Sequence, residues 1–193
     1  KISEESLGAS HQRTAVALNG LAALYQNQSR YDKARPLYER SLKINEKVLG
    51  LEHSETATVL NNLAILYNLQ DLYSKAEVLY KRSVEVNEKV FGANNENIGN
   101  SINNLALLYQ DQGLYEKAEP LYLRVLAILE ENSSPNHPDI AVALNSLASL
   151  YREQGLYEKA EPLYKRSLKI SEESLGEHPS TSISLNNLAL LYF

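Results

Sequence analysis

Apolar positions along the chain alternate between two helical patterns. Between residues 58 and 69, successive residues placed 100° apart gather Val59, Leu60, Leu63, Ala64, Leu66 and Tyr67 into an arc of roughly 160°. Thr58, Asn61, Asn62, Ile65, Asn68 and Leu69 fall on the other side. An apolar arc that wide predicts a helix packed against more than one neighbour. A turn is expected around Asp71, and a second helix from Tyr73 to about Phe91. Ala76, Leu79, Tyr80, Ser83, Val86 and Val90 share its inner face, with small residues where helices must approach closely. Glu77, Lys81, Glu85 and Lys89 alternate in sign along the outer face, which reads as a solvated surface.

This two-helix unit repeats. Tyr25, Tyr67, Tyr109 and Tyr151 stand 42 residues apart, as do Tyr31, Tyr73, Tyr115 and Tyr157, and Ala34, Ala76, Ala118 and Ala160. The string QGLYEKAEPLY occurs twice unchanged, at 112–122 and 154–164. The whole chain, 1–193, reads as a single array without a linker: units 14–55, 56–97, 98–139 and 140–180, with partial units 1–13 and 181–193. A period of this size signals a solenoid. Gly50, Gly92 and Gly176 are placed to end second helices with a positive φ. The third unit carries Asn132-Ser133-Ser134-Pro135 there, which predicts a looser loop. Pro36, Pro120 and Pro162 fall early in second helices, where local irregularity without a break is expected.

Leu63-Ala64 followed by Tyr67, then Tyr73, Ala76, Tyr80 and Ser83, with their equivalents in each complete unit, resemble the tetratricopeptide repeat. The 42-residue period, the LNNLALLY-like and AEPLYKRSL-like strings and an LG…HP turn (Leu185–Ala189, Lys165–Leu168 and His178-Pro179) look like the kinesin light chain form of that repeat. The resemblance implies an all-α fold, a right-handed superhelical solenoid of antiparallel helix pairs. It also implies first helices along a concave wall that receives an extended or helical peptide. Asn62, Asn104 and Asn187 match the position that contacts peptide in several members of the family, whereas Gly20 and Ser146 depart from it. The wheel places Ile65, Leu107, Asn68, Gln110 and Arg152 on the same side, completing the candidate peptide-binding set.

Asn is a poor residue for a helix interior, so its recurrence needs a reason. Its amide donates and accepts at once, and can bracket a peptide backbone whatever the side chains. The competing reading is an Asn ladder between neighbouring repeats, favoured for the first column, Asn19, Asn61, Asn103, Asn145 and Asn186. Both readings stand for the second column. Kinesin light chains take acidic peptides through basic groove residues, but here the wall offers only Arg152, opposed by Asp111 and Glu153. The Arg common near the end of the family's second helix is replaced by Asn45, Asn87, Leu129 and Ser171, so a preference for acidic cargo does not carry over.

The 193 residues carry a net charge of −5 with no basic block, which argues against nucleic acid as partner. No apolar run approaches the roughly 18 residues of a membrane helix. Zero Cys removes thiolate nucleophiles and zinc–cysteine sites. His11, His53, His137 and His178 occupy equivalent turns too far apart to share a metal, so no metal or cofactor is expected. Arg40, Arg82, Arg124 and Arg166 are expected to pair with acidic neighbours. The glycosylation patterns at Asn27 and Asn132 are discounted, since nothing indicates secretion, and the expected location is the cytoplasm. The opening KISEESLG is polar, and the absence of Met reads as a piece of a longer chain. Function is expected to be non-catalytic: a scaffold that binds a peptide of a protein partner along the concave groove. The alternatives are a module stacking end to end, through weak head-to-tail contacts of Ile2–Leu7 with Leu188, Leu191 and Tyr192, or the recognition part of a larger enzyme or signalling protein.

Overall fold

The computed structural model describes residues 11–175 and 185–189. Among these the regular elements are helical: α1 (Gln12–Asn27), α2 (Tyr31–Val48), α3 (Ser54–Asn68), α4 (Tyr73–Phe91), a 3-10 turn (Glu96–Ile98), α5 (Gly99–Asp111), α6 (Tyr115–Asn132), α7 (Pro138–Glu153) and α8 (Tyr157–Leu175). Residues 185–189 are also helical. The chain is all-α, and α4 has the bounds that its pattern predicts. Of the residues on which head-to-tail contacts are expected, Ile2–Leu7, Leu191 and Tyr192 lie outside the described residues, as do Gly176, His178 and Pro179. Contacts gather the chain into two compact units, residues 1–108 and 109–193, and the dividing line falls inside α5.

Each repeat starts and turns by the same local chemistry. The His11, His53 and His137 side chains accept the N–H of Arg13, Glu55 and Asp139 through Nδ1 at 3.1, 3.1 and 3.3 Å. They are the N-caps of α1, α3 and α7. Asn95 holds the same place in the third unit and accepts from Asn97 N–H at 2.9 Å. At the turn within each unit one residue takes a left-handed φ: Ser29 at 56°, Asp71 at 57°, Gly113 at 69° and Gly155 at 73°. The next N–H then reaches back five residues, from Arg30 to Tyr25, Leu72 to Tyr67, Leu114 to Tyr109 and Leu156 to Tyr151, at 2.8–2.9 Å. That is a Schellman closure, which satisfies an orphan carbonyl of the helix it ends.

Within the first unit, α1 and α2 run antiparallel. Ala22 packs with Ala34 and Tyr38 near the turn, and Ala15 and Leu18 pack with Ile44 at the far end. Ser41 Oγ donates to the Ala15 carbonyl at 2.7 Å, and Ser83 to Ala57 and Ser167 to Ala141 at 2.9 and 2.8 Å. A buried hydroxyl thus finds a carbonyl of the facing helix in three repeats, while Val125 stands at that position in the remaining one. The alanines at these crossings are fully buried and let the backbones approach.

The inner face of α4 is broader than its sequence suggests, and slightly displaced. Ala76, Tyr80, Ser83 and Val86 are buried as expected, together with Val84 and Asn87, but Val90 is 40% exposed. The reason is length: α4 has 19 residues against 15 in α3, so its last turn extends past its partner. Helices α2, α6 and α8 run through Pro36, Pro120 and Pro162, which face solvent. On the outer surface Arg82 pairs with Glu46 at 2.7 Å and Arg166 with Glu130 at 2.5 Å, as the Arg column predicts.

Candidate functional site

Burial of the apolar arc of each first helix sets which side is left to the amides. In the unit 1–108 that side belongs to α1, α3 and the first ten residues of α5. Thr58, Asn100 and Leu107 are exposed there, and Asn61, Asn62, Ile65, Asn68, Asn103 and Asn104 are half-buried. Leu107 is 42% exposed, a large apolar side chain among amides.

Two amide bridges cross this surface. Asn62 Nδ2 donates to Asn19 Oδ1 at 3.1 Å, and Asn104 Nδ2 donates to Asn61 Oδ1 at 3.0 Å. The ladder therefore exists, and it uses both Asn columns, one from each of two successive first helices. It spends one N–H of Asn62 and of Asn104. The Oδ1 and second N–H of each remain on the half-exposed surface beside Ile65 and Leu107. At the start of the same helices Gln12 Nε2 lies 3.1 Å from both carboxylate oxygens of Glu55.

The unit 109–193 builds its wall differently. Gln110 is only 8% exposed. Its Nε2 donates to Glu153 Oε1 at 2.7 Å, and its Oε1 accepts from Tyr122 at 2.8 Å. Both ends of this amide are committed to the wall, so Gln110 is a packing residue and not the open contact that the wheel suggests. Burial first, then the Asp111 and Glu153 carboxylates, push the Tyr122 phenol up from its ordinary pKa. Arg152 is half-buried, and its charge partly offsets the rise that burial gives Tyr164. Asn187 is half-buried within the helical stretch 185–189.

A further recurring feature is a lysine over the tyrosine that ends each first helix. Lys33, Lys75, Lys117 and Lys159 lie 5.9, 5.5, 5.2 and 5.0 Å from the ring centroids of Tyr25, Tyr67, Tyr109 and Tyr151. Cation–π pairing of this kind braces each turn. The eight-residue spacing is present in every repeat, but it crosses a turn, where helical periodicity gives no guidance. Among the described residues, no group of three or more His, Cys, Asp or Glu side chains is placed to hold a metal, and no helix is long and apolar enough to cross a membrane.

Comparison with known proteins bears on what such a wall does. The tetratricopeptide repeat family matches in overlapping stretches, residues 1–47, 13–89, 55–131, 97–173 and 139–193. Among solved structures, the chain is similar to BtubC (BKLC) from P. vanneervenii, with 29% identity over 86% of this chain and a TM-score of 0.74. It spans 66% of the length of that protein. It is also similar to a kinesin light chain-like protein of nearly identical TPR-like repeats from Podosopora anserina. There the identity is 27% over 94% of this chain and 87% of the other, with a TM-score of 0.80. A point variant of the same protein gives 26% and a TM-score of 0.81, over 94% of this chain and 86% of the other. No curated protein matches the chain in sequence.

Proposed function

The chain belongs to the tetratricopeptide repeat family, a fold that generally mediates protein–protein interaction, and on that premise we propose that it is a non-catalytic cytoplasmic scaffold holding a peptide segment of a partner protein. Within residues 14–108 the peptide lies against α1, α3 and α5. The observation that carries this reading is the half-spent amide. Asn62 and Asn104 are each held in place by one bond to the preceding repeat, and each keeps a carbonyl and an N–H for a peptide backbone. Side chains held by a supporting bond lose less rotamer freedom on binding, which favours affinity. Leu107 and Ile65 supply adjacent apolar area, which backbone hydrogen bonds alone lack.

The test is selection of peptides from a random display library on the purified chain, followed by fluorescence anisotropy with the best of them. Replacing Asn62 and Asn104 together with Ala should weaken binding by about 1–3 kcal/mol, two hydrogen bonds at roughly 0.5–1.5 each, while the helical signal persists. Unchanged affinity in a folded double variant contradicts the reading.

A further inference from the structure

One buried position of the 42-residue repeat changes character from unit to unit. Asn45, Asn87, Leu129 and Ser171 occupy it, all near the end of a second helix and all buried. Asn87 is satisfied in part by Ser101, whose Oγ accepts from Asn87 Nδ2 at 2.8 Å and lies 3.3 Å from Ser83 Oγ. One repeat earlier the place of Ser101 is taken by Val59. Asn45 is 2% exposed. Its Nδ2 donates to the Glu55 carbonyl at 3.3 Å, and its Oδ1 is buried with no hydrogen-bond partner. An amide oxygen left in that state has lost its water without gaining a donor in exchange.

Asn45 is also part of the wall of a cavity. Where α1, α2 and α3 meet, a pocket of about 200 Å³ is lined by Ala15, Val16, Asn19, Ser41, Asn45, Glu55, Thr58 and Val59. Val16, 58% exposed, and the exposed Thr58 mark its mouth, on the same helix side as Asn62. The buried lining atom left without a partner is an acceptor, Asn45 Oδ1. A second acceptor is the half-buried Glu55 carboxylate, met among the described residues only by the neutral amide of Gln12. Among the described residues no cation pairs with Glu55. Ser41 Oγ has given its proton to Ala15, which leaves it accepting.

We propose that this pocket takes the basic side chain of a lysine or arginine from a partner peptide. The proposal rests on the peptide-scaffold reading and names the partner's chemistry. The methylene stem would lie on Ala15, Val16 and Val59, and the cationic head would donate to Glu55 and Asn45. Both basic residues bury such stems readily while keeping the head at a polar rim. A half-exposed carboxylate at the mouth supplies the opposite charge without the full desolvation of a buried ion pair. A neutral donor would satisfy Asn45 but leave the Glu55 charge uncompensated.

The experiment uses the whole chain and NMR. The Asn45 side-chain amide and the backbone amides of Val16 and Thr58 are followed while n-butylammonium, n-butylguanidinium or neutral n-pentanol is added. In parallel, a selected peptide is remade with norleucine for its basic residue. The proposal expects saturable shifts with a cation and not with pentanol, with the two cations separating lysine from arginine. It also expects roughly tenfold weaker binding in Glu55→Gln and for the norleucine peptide, the scale of one charge-assisted hydrogen bond. Asn45→Leu, which repeats the natural Leu129 and so should fold, should weaken the cations likewise. Equal shifts with pentanol, indifference to Glu55→Gln, or no shift with any probe (a pocket holding water only) would overturn it. If the cations fail while the peptide still moves Asn62 and Asn104, the pocket assignment falls and the scaffold reading stands. If the cations bind and no peptide does, the scaffold reading falls instead.

Discussion

Asn62 donates its amide to Asn19 across 3.1 Å, from a position 43 residues further along the chain. The same offset joins Asn104 to Asn61, Gln12 to Glu55 and Gln110 to Glu153. The sequence repeats every 42 residues, but bonds between successive first helices join residues one repeat plus one residue apart. Equivalent Asn therefore do not meet, and the two Asn columns are needed together to make one ladder. A double-mutant cycle on Asn19 and Asn62 should give a coupling energy of about 0.5–1.5 kcal/mol in denaturant titration. The single Asn62→Ala change should cost less than that, because Ala gains roughly half a kcal/mol as a helix former. A coupling near zero would mean that the bridge does not hold the repeats.

The left-handed turn makes a prediction of the opposite sign. Ser29 sits at φ 56°, where the equivalent residues in the third and fourth repeats are Gly113 and Gly155. Ser29→Gly should raise stability by about 0.5–1 kcal/mol, since relief of a side chain in the left-handed region outweighs the extra freedom of unfolded glycine. Asp71→Gly should gain less, because Asp71 Oδ1 accepts a bond from the Tyr73 hydroxyl at 2.8 Å. Thermal unfolding of the two variants should show that order.

Capping by histidine predicts a substitution pattern. His53→Ala should cost about 0.5–2 kcal/mol, while His53→Asn should be close to neutral, because Asn95 already performs the same task. Equal losses for Ala and Asn would refute the cap. At the helix crossing, Ala76→Leu should cost about 1–3 kcal/mol by overpacking a fully buried position.

Alkaline pH should unfold the chain through its tyrosines. Burial, the hydrogen bond to Glu119 and that carboxylate's charge push the Tyr151 hydroxyl up to about 12, and it donates to Glu119 at 2.7 Å. Tyr38, Tyr67, Tyr122 and Tyr164 are raised as well, with burial the largest cause in each. A pKa raised by folding means that the unfolded chain loses its protons first. The contribution of Tyr151 is therefore complete below about pH 10 and lost as pH rises toward 12. Stability measured from pH 9 to 12 should fall across that window, and Tyr151→Phe should make the fall shallower.

Period and helical wheel place the two-helix unit, α4 and the buried arc of α3, because each depends on residues of one helix or one repeat. What they miss depends on relations between helices. The wheel assigns Val90 to the inner face because it knows nothing of where α3 begins. Gln110 looks open on the same wheel because its partners, Tyr122 and Glu153, are 12 and 43 residues away. The pocket beside Asn45 leaves a trace in the sequence, as the column where the family's Arg gives way to Asn, Asn, Leu and Ser. Nothing in that column says that Val59 stands where Ser101 would have answered the amide.

The central claim is that the half-spent amides on α3 and α5 receive a peptide backbone. The measurement that tests it most directly is a titration of the isotope-labelled chain with a library-selected peptide, reading the side-chain amides of Asn62 and Asn104 and the methyls of Ile65 and Leu107. The account predicts that these signals move together and saturate at the dissociation constant found by anisotropy, while the amide of the exposed Asn136, bonded to Glu173 at 2.8 Å, stays still. Saturating shifts confined to the second-helix face, around Val78 and Val90, with Asn62 and Asn104 unmoved, would contradict it.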